Sequence, residues 1–131
     1  AVAQTREGPG IRFRCADSTT LVAEGARFDA VVSNHVLHHL DQDELRWFTD
    51  DSLALSSGPV LHGDIERGRS AYALYAVGIT PFATGTFLRT DGMRSIRRSY
   101  RAAELAAELG DRWRVERPAP FRLLAVGDGS A

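Results

Sequence analysis

An α/β fold with a mostly parallel sheet and a C-terminal antiparallel hairpin is predicted for this 131-residue chain, and three observations predict it. Short apolar runs alternate with helix-compatible stretches, the pattern of βα units around a parallel sheet. One run lies inside RFDAVVSNHVLHHL, residues 27–40, where Ala30, Val31, Val32 and Ser33 are bounded by polar residues. A short apolar run of that kind suits an interior strand buried on both faces. Near the end, residues 112–117 and 121–126 read as strands joined only by Pro118, Ala119 and Pro120, and so short a join favours an antiparallel pair.

Residues 1–7 have helical propensity but are too few to stand alone; they read as a helix end stopped by Gly8, Pro9 and Gly10. Residues 11–15 alternate apolar side chains with arginine, the period-two mark of a strand, which Ala16, Asp17 and Ser18 close. Residues 19–26 are a short connection with room for one helical turn, ended by Gly25. After the strand at 30–33, Asp41 and Glu44 stand three apart, as in a capping box that satisfies two unpaired donors at a helix start. That helix runs to about Leu55, with Leu45, Phe48 and Leu55 facing the sheet and Trp47 or Ser52 flanking. Ser56, Ser57, Gly58 and Pro59 stop it, and residues 60–65 form the next strand. Residues 66–98 are a long insert of the kind that acts as a lid or binding loop, with a short helix over 70–77. Residues 99–109 form an Ala-rich helix with Leu105 and Leu109 four apart, ended by Gly110.

The composition excludes several classes. A formal net charge of −1 gives no global field to recruit nucleic acid or an anionic membrane. Every basic residue is arginine. The one cysteine, Cys15, cannot form an internal disulfide and suits a reducing, cytoplasmic setting. No apolar run has the length of a membrane span. His35, His38 and His39 have the spacing of one helix face, but no cysteine and no clear fourth ligand accompany them, so no metal site is expected.

The motifs, taken in order, resemble those of class I S-adenosylmethionine-dependent methyltransferases, in particular their small-molecule, quinone-biosynthesis-like branch. Ala16-Asp17-Ser18 resembles the acidic turn after the family's third strand. Residues 28–34, FDAVVSN, resemble its fourth strand, and His38-His39-Leu40 the exit seen in quinone-type enzymes. Residues 99–105, SYRAAEL, resemble the start of its late helix, with Arg101 in the usual capping slot and Ser99 as the expected cap. The family's last two strands also form a hairpin whose final strand slots in antiparallel. The resemblance implies a Rossmann-like sheet of about five strands and S-adenosylmethionine as cofactor. It implies that Ala16, Asp17 and Ser18 lie at the adenine, and that Ser33, Asn34, His35 and Val36 lie beside the methionine part.

The family's first strand with its glycine-rich loop, and its second strand, have no counterpart here. The chain therefore reads as one partial domain, a fragment of a longer protein, with weak cofactor binding of its own, or none. Residues 11–15 would lack their neighbouring strand unless the chain repacks or a second copy fills the gap as a homodimer.

A small acceptor hydroxyl must lose a proton as it attacks the methyl group, and histidine titrates in the working range; His38 or His39 is the candidate base, with packing against the next helix the competing role. Asp64 and Arg67 either line the acceptor pocket or form a surface pair. Tyr72, Tyr75, Phe82 and Phe87 form either an apolar lid or a satellite core. His62, inside its strand, is expected to be packed. The expected reaction is methyl transfer to a small apolar or aromatic acceptor, at oxygen. The alternatives are an inactive remnant acting by association through an open sheet edge, or another nucleotide-binding α/β enzyme.

Overall fold

The computed structural model describes residues 9–68, 73, 77–78 and 99–131. They form a mixed α/β structure, as expected of a Rossmann-like methyltransferase fold. In chain order the elements are α1 (Ser18–Ala23), β1 (Val31–Asn34), a 3-10 turn (Leu37–His39), α2 (Gln42–Leu55) and β2 (Pro59–Ile65). After the insert come α3 (Ala102–Leu109), β3 (Arg114–Glu116) and β4 (Arg122–Asp128). The sheet order is β1-β2-β4-β3. β1 and β2 are parallel, with Val31 opposite Val60 and Asn34 opposite Gly63. β4 is antiparallel to both β2 and β3. The last strand thus slots in between its hairpin partner and the parallel pair.

Local chemistry sets the element ends. Asp41 accepts from the Glu44 amide, and the Glu44 carboxylate accepts from the Asp41 amide, so the predicted capping box opens α2. Gly110 ends α3 at φ 72°, a left-handed conformation open to glycine without steric cost. α3 begins three residues later than expected. Arg101 holds the N-cap position, and Glu104 reaches back to accept from its amide at 3.0 Å; Ser99 is buried ahead of the helix rather than capping it.

Burial alternates along β2 and β4. Val60, His62 and Asp64 are buried opposite Gly127, Ala125 and Leu123, while their neighbours are half-buried or exposed. α2 contributes Leu45 and Leu53 to the core on this face, and α3 contributes Leu105. Each fully buried leucine contributes roughly 1.5–3 kcal/mol. On α2 the buried stripe is Leu45, Thr49, Ser52 and Leu53, with Leu55 at its end. Ser52 is therefore the flanking residue, and Trp47 is 67% exposed.

Two expectations are corrected. Residues 12–15 form no strand and only Ile11 makes a bridge, so the described sheet has four strands, not five. The alternation of apolar residues and arginine is real, but a ladder needs a neighbour, and the described sheet stops at β1. Among the described residues β1 is likewise the edge strand rather than an interior one: its burial alternates, and Val32 is 69% exposed. Among the described residues no helix is long and apolar enough to cross a membrane.

Candidate functional site

The parallel pair ends at Asn34 and Ile65, and the antiparallel β4 starts beside them at Arg122. Three strand ends therefore meet at the carboxyl edge of the sheet, where open α/β folds place their ligands. The chain leaves β1 through His35, whose φ is 58°, an uncommon conformation for a side-chain-bearing residue. Two contacts hold it there. Its amide donates to the Gly63 carbonyl at 2.9 Å, and its Nε2 accepts from Arg122 Nη1 at 2.9 Å. A guanidinium only donates, so this bond fixes the His35 proton on Nδ1. Arg122 Nη2 also donates to Asn34 Oδ1 at 3.2 Å. Gly63 leaves room for this arrangement, because a Cβ there would lie 3.1 Å from Asn34 Oδ1.

The 3-10 turn that follows buries His38 against Asp64. Asp64 Oδ1 accepts from His38 Nδ1 at 2.7 Å and from the Ile65 amide at 2.7 Å, and Oδ2 accepts from the His38 amide at 2.9 Å. Both side chains are nearly fully buried, at 2% and 4% exposure. With Nδ1–H given to Asp64, the neutral ring presents a lone pair at Nε2. That atom is buried and has no hydrogen-bond partner among the described residues. A buried polar atom left unpaired is costly and calls for an explanation.

The three histidine rings do not share one face. His38 is committed to Asp64 and His35 to Arg122, while His39 is exposed and stacks on His38 at 4.0 Å. Val36 precedes the 3-10 turn and accepts from the His39 amide. Ser33 is turned inward, and its Oγ is hydrogen-bonded to His62 Nδ1 at 2.7 Å.

Asp17 and Ser18 lie elsewhere. Asp17 caps α1 by accepting from the Thr20 amide, and hydrogen bonds from the Thr20 side chain and then its amide hold the carboxyl below the usual range. Ser18 donates to Asp51, ten residues beyond the start of the α2 cap and so roughly 15 Å along that helix from the His38 end. Ala16 is exposed beside them. Arg67 pairs with Glu104 on the surface, both partly exposed, while its amide donates to Tyr100. Tyr72, Tyr75, Phe82 and Phe87 lie outside the described residues. A cleft of about 630 Å³, lined in part by Gly58, Trp113, Arg114 and Ser130, sits at the opposite end of the sheet and is not part of this site.

His62 is packed, as expected. It is fully buried, with Phe48 at 5.0 Å and Trp113 at 5.3 Å between ring centroids. Burial pushes its pKa down from 6.5 to about 4. The unfolded chain takes up this proton near pH 6.5 and the folded one only near pH 4. The stability linked to a neutral His62 is thus present above pH 6.5 and lost as pH falls towards 4, about 3 kcal/mol in all. Urea unfolding at pH 7 and pH 4.5 should show this loss and a smaller one in His62→Leu; equal losses in the two proteins would contradict it.

Sequence reasoning missed Arg122 and Gly63. A glycine inside a strand is a signal of close approach by another group, and an antiparallel final strand brings its first residue to the carboxyl edge of its parallel neighbour.

Residues 1–50 match the family model described as a methyltransferase domain. That span contains β1, the loop at 34–36, the 3-10 turn with His38 and the first part of α2. It supports a class I methyltransferase, and members of this family generally use S-adenosylmethionine. No curated protein matches the chain.

Proposed function

We propose that this domain transfers a methyl group from S-adenosylmethionine to the hydroxyl of a small apolar or aromatic acceptor, in the manner of the quinone-biosynthesis-like branch. The observation that carries this reading is the buried, unpaired Nε2 of His38, aligned by Asp64 at the carboxyl edge of the sheet. It lies within the span that matches the methyltransferase model.

The residues present fit such a donor and acceptor in two respects. The orphaned Nε2 can take a proton, and the exposed Asn34 leaves a carboxamide at the carboxyl edge of the sheet. S-adenosylmethionine would supply an electrophilic methyl group on a sulfonium. That methyl would pass to the acceptor oxygen, with the carbon–sulfur electron pair staying on sulfur. His38 Nε2 takes the hydroxyl proton. Asp64, held by three N–H donors, keeps the imidazole oriented and stabilises the positive ring that results. The loop at 33–36 would hold the methionine part. The adenine end would rest on Asp17 through Oδ2, since Oδ1 caps α1.

Calorimetry with S-adenosylhomocysteine tests it. Binding that weakens when Asn34 is replaced by leucine is expected; no binding to this chain or to an N-terminally extended one would defeat the reading. The edge of β1, which has no strand beyond it among the described residues, favours a second reading, in which the chain acts by pairing with another copy. Sedimentation should then show a dimer that Val32→Lys dissociates, and a monomer at every concentration would remove that reading.

A further inference from the structure

We propose that Arg122 is a carboxylate-binding residue of this site and that the acceptor is therefore a small hydroxy acid. This inference rests on the methyl-transfer reading. Arg14, Arg46, Arg67, Arg112, Arg114 and Arg117 each pair with a carboxylate. Arg122, like the exposed Arg12, Arg27 and Arg101, does not pair with one among the described residues. It is half-buried, yet its two contacts are neutral acceptors, the His35 ring and the Asn34 carboxamide. These occupy two of the five N–H donors of a guanidinium, and the charge they leave uncompensated points to a ligand that brings its own anion. Arg–carboxylate pairs are the strong, geometrically selective form of this contact.

Position narrows the ligand. The His35 ring is in contact with Arg122 on one side and stands edge-on to His38 on the other, with centroids 6.4 Å apart. One imidazole therefore separates the cation from the candidate base. A molecule whose hydroxyl and carboxylate are separated by about one aromatic ring can reach both. The cofactor's own amino-acid carboxylate is the other possible source of the anion, and the test separates the two.

The probes are 4-hydroxybenzoate, its neutral methyl ester and S-adenosylhomocysteine, each titrated against the protein, Arg122→Gln and Arg122→Lys. The acid should bind at least tenfold more tightly than the ester. It should lose that advantage in Arg122→Gln, keep part of it in Arg122→Lys, and retain it in the unaltered protein when S-adenosylhomocysteine is saturating. Equal binding of acid and ester overturns the proposal, as does loss of the acid's advantage when S-adenosylhomocysteine is saturating, which would assign the guanidinium to the cofactor. Should Arg122→Gln not fold, the acid–ester contrast in the unaltered protein and in Arg122→Lys still decides. Acid binding through Arg122 with no S-adenosylhomocysteine binding would retain the carboxylate site and sink the methyl-transfer reading instead.

Discussion

Asp64→Ala should lower the free energy of unfolding by about 3–5 kcal/mol, the range for removing one partner of a buried, hydrogen-bonded pair. The substitution strips the acceptor from three N–H groups at once: the His38 ring, the His38 amide and the Ile65 amide. Each buried donor left unpaired costs about 1–3 kcal/mol, less where water enters the vacated space. Because a domain of this kind has roughly 5–15 kcal/mol in total, the variant should unfold at much lower urea concentration. Asp64→Asn should lie between the two proteins, since its amide still accepts at one oxygen but presents donors where the carboxylate accepted. A loss under about 1 kcal/mol for Asp64→Ala would mean that the pair does not anchor the turn.

His38→Gln should reduce the rate of methyl transfer to a hydroxyl acceptor by about 10²–10⁴-fold, the usual contribution of a positioned general base. Affinity for S-adenosylhomocysteine should not change, because His38 would act on the acceptor proton and not on the cofactor. His39→Gln is the matched control. His39 is exposed and has no carboxylate partner among the described residues, so its replacement should change the rate less than threefold, far below the general-base range. Rates measured with saturating methyl donor, across pH, would separate the two positions. Equal effects at 38 and 39 would remove the distinction that Asp64 creates.

The sequence carried the local features well. Asp41 and Glu44 announce the start of α2 because a capping box is complete within four residues, and Pro118-Ala119-Pro120 announces the hairpin because so short a join leaves one geometry. The adjacent valines announce a strand for the same reason, since β-branching acts on the residue itself. Features that depend on a distant neighbour were read less well. Residues 11–15 carry a strand pattern, yet pattern cannot supply the pairing partner. Val32 looks like an interior residue and is exposed because β1 lies at an edge. Ser99 looks like a cap, but Glu104 supplies the cap from inside the helix.

The site divides in the same way. His38 and Asp64 were each legible as functional candidates, one by its place after a strand and the other by its place at the end of the next. Their pairing was not legible, because it spans 26 residues and depends on β1 and β2 lying parallel in a fixed register. Arg122 was invisible for a stronger version of that reason: 87 residues separate it from His35, and only the antiparallel insertion of β4 brings it to the rim. Asp17 shows the converse, as its local role as a cap is satisfied and holds it along α2, away from the other candidates.

The protonation pattern of the His38 ring tests most directly whether Asp64 presents it as a base. A long-range ¹H–¹⁵N correlation spectrum of the neutral ring should show the proton on Nδ1 and a bare Nε2, and Asp64→Asn should abolish that preference. A ring protonated at Nε2, or one whose tautomer ignores the loss of the Asp64 carboxylate, would contradict it.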